Sequence, residues 1–150
     1  ILVSLKYTLP SMRILIFLIA LNTCTQLPAQ DQDIIKIEFT SLSRGYYEKV
    51  EFTKDSLISK KSQNRGTAEQ IYQKEVTHKQ WVSLVSELQA IDLSTLPSLK
   101  SPTMKRAYDG ARHSSLTIYT SENSYQHVFD DENPDKSLKG LMNNIIKLKK

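Results

Sequence analysis

The sequence has 150 residues, 24% of them charged and 39% apolar, which excludes a disordered chain and suits one ordinary globular domain. Its net charge is +4, but Lys6 and Arg13 are the only charged residues before Gln30, so the remainder holds 18 of the 20 basic residues against all 16 acidic ones. So small an excess, with Lys and Glu alternating along most segments, argues against a nucleic-acid binder, which needs a basic stripe.

Ile14 to Leu21 is an uncharged apolar run, preceded by Met12 and Arg13 and ended by Asn22. A membrane-spanning helix needs about 20 apolar residues, so this run is too short to remain as an anchor. A basic start, an apolar middle and small residues near Ala29 outline a secretory signal peptide, with cleavage expected between Ala29 and Gln30. Residues 1–29 are read as an upstream extension plus signal, starting at Met12, and residues 30–150 as a single exported domain, periplasmic or secreted. The single cysteine, Cys24, falls within the signal and leaves that domain no intramolecular disulfide. Leu21-Asn22-Thr23-Cys24 also lies near a bacterial lipoprotein arrangement, with Thr23 larger than the usual small residue, so lipidation at Cys24 is the alternative.

Asp33 to Thr40 alternates, with Ile35, Ile37 and Phe39 on one face and Lys36 and Glu38 on the other, the period of a half-buried strand. Ser41-Leu42-Ser43-Arg44-Gly45 reads as a break. Alternation resumes from Tyr46 to Thr53, with Val50 and Phe52 opposite Lys49 and Glu51. Lys54-Asp55 is a turn candidate leading into Ser56 to Lys61 as the returning strand of a hairpin. After the polar break at Ser62 to Thr67, with Asn64 and Gly66, Glu69 to Val76 reads as a further strand.

Thr77-His78-Lys79-Gln80 has capping-box spacing, in which each side chain satisfies a free amide at a helix start. Trp81, Leu84, Val85, Leu88 and Ile91 then form the inward stripe of a helix. Pro97 and Pro102 stop it, so Thr95 to Pro102 reads as a loop. After Asp109-Gly110, Ser114 to Thr120 and Tyr125 to Phe129 form a second hairpin across Ser121 to Ser124. Asn133-Pro134-Asp135 reads as an N-cap, a first-turn proline and an acid near the positive helix end. Leu138, Leu141, Met142, Ile145 and Leu148 form the inward stripe of that helix, and Lys147 suits its last turn. The expected fold is α+β: one antiparallel sheet of five or six strands, order β-β-β-(β)-α-β-β-α, with two helices on one face. The core centres on Trp81.

No Gly-x-Ser-x-Gly elbow is present, and Cys24 leaves with the signal, so no activated nucleophile is expected. His78, His113 and His127 lie on separate elements without the local ligand pairs of zinc sites. Asp130-Asp131-Glu132-Asn133-Pro134-Asp135 offers oxygen ligands but lacks calcium-loop spacing and its glycine, so it reads as a solvated loop feeding a helix. No cofactor and no metal are expected. The segment from Lys100 to His113 stands out, combining Lys105, Arg106, Tyr108 and Arg112. Either it grips an acidic partner or it is a solvated connector. An enzyme assembled from His113, Asp109 and Tyr108 is the alternative class, as is a structural lipoprotein.

The helix ending in Ile91-Asp92-Leu93-Ser94-Thr95-Leu96, the Tyr108-Asp109-Gly110 turn, the Leu116-Thr117-Ile118-Tyr119 strand, Tyr125 to Phe129 and the Leu138/Leu141 helix together are similar to small exported bacterial proteins. More remotely, Tyr46 to Leu148 resembles the emfourin-type inhibitors of thermolysin-like metalloproteases. That resemblance implies a compact α+β domain that binds an enzyme without catalysis. The chain departs from it in having only Arg44-Gly45 where such inhibitors carry a glycine-rich first hairpin, and no inhibitory residue is carried over. The expectation is a non-catalytic exported binding domain whose partner is a protein or a cell-envelope component.

Overall fold

The computed structural model describes residues 33–63 and 67–150, which belong to one compact unit, Gln32–Lys150. The expected signal peptide, Met12, the Ala29 cleavage point and Cys24 lie outside the described residues.

The strands are β1 (Ile34–Ser43), β2 (Tyr46–Phe52), β3 (Ser56–Ser62), β4 (Gln70–Glu75), β5 (His113–Thr120) and β6 (Ser124–Asp130). They form a single antiparallel sheet in the order β4-β3-β2-β1-β5-β6. Among the described residues two α-helices complete the α+β fold: α1 (His78–Ser86) after the first four strands and α2 (Lys139–Leu148) at the end. β1 lies in the middle, pairing Phe39 with Val50 on one side and with Leu116 on the other.

Alternation decides which face is buried. Ile37, Phe39, Val50, Phe52, Leu57, Leu116, Ile118 and Phe129 point to one face, where they join Trp81 and Leu84 of α1 and Leu141, Met142 and Ile145 of α2 in one core. Removing each such side chain from water contributes about 1.5 to 3 kcal/mol. On the opposite face, Lys36 and Lys49 bridge Glu38 and Glu51 at 3.0 to 3.4 Å, and Lys36 lies 3.9 Å over the Tyr119 ring.

The structure corrects the sequence reading in several places. Ile35, expected beside Ile37, is exposed, because the register with β5 shifts between Ile34 and Lys36 and Ile34 packs on the core instead. Ser41 to Ser43, read as a break, continue β1. Ser41 occupies a fully buried core-face position, where its hydroxyl accepts from Ser114 Oγ at 2.8 Å. Gly45, at φ +79°, then makes the turn, a conformation that favours glycine.

Thr77 forms the expected capping box with Gln80, and α1 follows. α1 is shorter than its apolar stripe, ending at Ser86, yet Leu88 remains buried and Ile91 packs against the core. The segment read as a loop from Thr95 opens inside a 3-10 helix, Leu93–Ser98, with Leu93 and Leu96 fully buried. Asp92 caps it by accepting from Ser94 N–H. Its turns close through Thr95 N–H to Asp92 C=O and Leu99 N–H to Leu96 C=O, neither of which needs a donor from Pro97.

At the second helix the cap is Asp135 rather than Asn133. Its Oδ1 accepts from Ser137 N–H at 2.9 Å and starts a 3-10 turn, Lys136–Leu138, that runs into α2. Asn133 N–H is spent earlier, on the Asp130 carbonyl at 3.0 Å.

Candidate functional site

The chain between the Leu93–Ser98 turn and β5 is held from below by two consecutive acids at the end of β6. Asp130 is 2% exposed. Its Oδ2 accepts from Thr103 Oγ1 and, at 2.7 Å, from Lys105 N–H. Its Oδ1 accepts from Arg106 Nη1 at 2.7 Å and from Arg106 N–H at 3.4 Å. Burial alone would raise the Asp130 pKa, but the donors from Thr103, Arg106 and Lys105 outweigh it and bring it to about 2.

Asp131, in the left-handed region at φ 53°, holds the far end of the segment. It accepts from Arg112 N–H at 3.0 Å and from Arg112 Nε at 3.3 Å, and its own N–H donates to Arg112 C=O. Arg112 also lies 5.0 Å over the Tyr46 ring. The acidic run is therefore not simply solvated: its first two members turn back onto the neighbouring loop.

Between these anchors Lys105–Tyr108 forms a short 3-10 helix, closed by Gly110 N–H donating to Lys105 C=O at 2.9 Å. A Cβ at Gly110 would meet the Tyr108 ring at 2.8 Å and Lys105 C=O at 3.3 Å, so a side chain there would displace the ring. Asp109 is left-handed at φ 60° and pairs with Arg44 at 3.1 Å, both side chains largely exposed. The tip presents Met104 and Tyr108, 58% and 71% exposed, with Lys105 beside them.

The four residues singled out from the sequence thus divide into two pairs. Lys105 and Tyr108 face solvent at the tip, whereas the Arg106 and Arg112 guanidinium groups are engaged with Asp130 and Asp131. Arg106 also donates to Ser101 Oγ and Thr103 C=O, both at 3.2 Å. The sequence reading missed Met104 at the tip and Thr103 and Asp130 beneath it. The only trace was the opposition of Asp130-Asp131 to Arg106 and Arg112, whose partners stand 24 and 19 positions apart in the chain.

Two open clefts flank this loop. One, of about 690 Å³, lies between residues 97–106 and β6 and is bordered by Leu99, Met104, Gln126 and Val128. The other, of about 610 Å³, is bordered by Leu42, Arg44, Asp109 and His113. It brings Asp109 and His113 of the enzyme alternative to one cleft, but Tyr108 does not line it.

His78 and His113 are exposed and His127 is 1% exposed. His127 Nε2 accepts from Asp135 N–H at 3.2 Å, and its ring stacks on Phe129 at 5.3 Å. Nδ1 has no partner among the described residues. Burial lowers the His127 pKa, opposed by Asp135 and reinforced by Arg106. Among the described residues, no group of three or more His, Cys, Asp or Glu side chains is placed to hold a metal ion. No helix among the described residues is long and apolar enough to cross a membrane.

No family model, curated protein or solved structure matches the chain.

Proposed function

We propose that the protein is a non-catalytic, exported binding domain that presents the Met104–Asp109 tip to a protein or cell-envelope partner. The observation that carries this reading is the combination of exposure and anchoring at the tip. Tyr108 and Met104 stand in solvent on a backbone that the buried Asp130 holds through main-chain and side-chain donors. A tip ordered before binding loses little conformational freedom on association, so more of its contact energy appears as affinity. Tyrosine is enriched among residues that dominate interfaces, and methionine adapts to apolar partner surfaces. Lys105 adds a cation beside them, while Arg106 and Arg112 support the tip rather than touch the partner.

Inhibition of a peptidase is the sharpest version of this reading, and it rests on the resemblance to emfourin-type inhibitors. The test is co-purification of the tagged full chain from an envelope fraction, with a parallel progress-curve assay against a thermolysin-like metalloprotease. One retained protein that weakens by about tenfold or more with Lys105→Ala plus Tyr108→Ala supports the reading. Retention unchanged by that folded variant removes the tip from the interface.

A further inference from the structure

β6 is an edge strand, and the direction of its main-chain groups follows from two hydrogen bonds. Thr120 N–H donates to Asn123 C=O at 2.8 Å, so the β5 main-chain groups that point toward β6 belong to Thr120 and, by alternation, to Ile118, Leu116 and Ser114. Their β6 partners are Tyr125, His127 and Phe129. Ser124, Gln126, Val128 and Asp130 therefore direct N–H and C=O away from the sheet. Asn133 N–H already takes the outward Asp130 carbonyl at 3.0 Å, which confirms the direction. Among the described residues nothing bonds the main chain of Ser124, Gln126 or Val128 on that side.

These free groups border the cleft of about 690 Å³, whose far wall is residues 97–106. An ordinary edge strand faces open water, as β4 does with Ile71 and Tyr72 exposed. Here Pro97, Leu99 and Met104 supply an apolar wall opposite Val128, within the size range of binding clefts. The charged groups lining it are Lys100 and Arg106, with no carboxylate among them. Arg106 is neutralised by Asp130, which leaves Lys100 as the exposed unpaired cation.

We infer that this cleft binds an extended peptide segment of a partner, added as a seventh strand to β6, with one apolar side chain against Leu99 and Met104 and an acidic side chain toward Lys100. Main-chain hydrogen bonds to Ser124, Gln126 and Val128 supply affinity independent of sequence, and the wall selects every second side chain. This inference rests on the binding reading above and names the form of the partner; of the tip's contact residues it uses Met104 alone and neither Lys105 nor Tyr108.

The test uses the immobilised full chain and a phage-displayed random-peptide library. Enriched peptides are expected to carry an acidic residue among β-branched or aromatic neighbours. N-methylation of a synthetic enriched peptide should weaken binding about tenfold at alternate positions and leave it unchanged between them, the signature of one hydrogen-bonded edge. Lys100→Glu should weaken it about tenfold, and Tyr108→Ala should not change it. No enrichment over a blocked surface, indifference to N-methylation, or loss with Tyr108→Ala but not Lys100→Glu each overturns the inference. Co-purification that depends on the tip alongside failed peptide enrichment keeps the binding reading and removes only the β6 strand.

Discussion

Arg106 Nη1 stands 2.7 Å from Asp130 Oδ1, with side chains 14% and 3% exposed. Surface ion pairs of long side chains contribute little because water screens them. This one differs in that the carboxylate is enclosed and receives main-chain donors as well, so the pair sets where the loop sits relative to β6. Separating the partners would leave a charge in a place that water reaches poorly.

Asp130→Asn should lower stability at pH 7 by about 2 kcal/mol, the free energy matching a carboxyl brought from 3.8 to about 2. Because the folded-state pKa is depressed, this contribution is complete above the unfolded value and disappears as pH falls toward about 2. Urea unfolding of the wild type and the variant across that range measures it. Parallel curves at every pH would contradict the assignment.

His127 gives a second pH dependence at a higher range. Its pKa is lowered from 6.5 by burial, so the unfolded chain takes up its proton first and stability falls as pH drops below that value. His127→Gln keeps an acceptor for Asp135 N–H and removes the titration. Thermal melts between pH 7 and pH 5 should slope in the wild type and flatten in the variant; equal slopes would assign the effect elsewhere.

Leu96→Ala should cost about 2 to 4 kcal/mol, as for other fully buried leucines. Were the segment a solvated loop, the same change would be almost silent. The denaturation midpoint distinguishes the two.

Ser41→Ala should cost about 1 to 2 kcal/mol, because it leaves the buried Ser114 hydroxyl without its acceptor. Changing both serines to alanine removes donor and acceptor together and should cost less than the sum of the single changes. Strict additivity in the double-mutant cycle would show that the two hydroxyls are not coupled.

What the sequence determined by itself was much of what neighbours in the chain decide. Period-two alternation marked the strands, the Thr77/Gln80 box marked the start of α1, and Trp81 and Leu84 at the head of the apolar stripe named the helix's core face. The hairpins β2–β3 and β5–β6 were legible for the same reason, since a short turn leaves antiparallel pairing as the natural outcome. Tertiary structure alone decided that β1 lies between β2 and β5, that Ser41 is a core residue, and that Leu96 is buried. It also separated the exposed Lys105 and Tyr108 from the engaged Arg106 and Arg112. Ion pairs between distant residues leave no period in a sequence. Which cations remain free for a partner is settled only when the chain brings its own carboxylates to them.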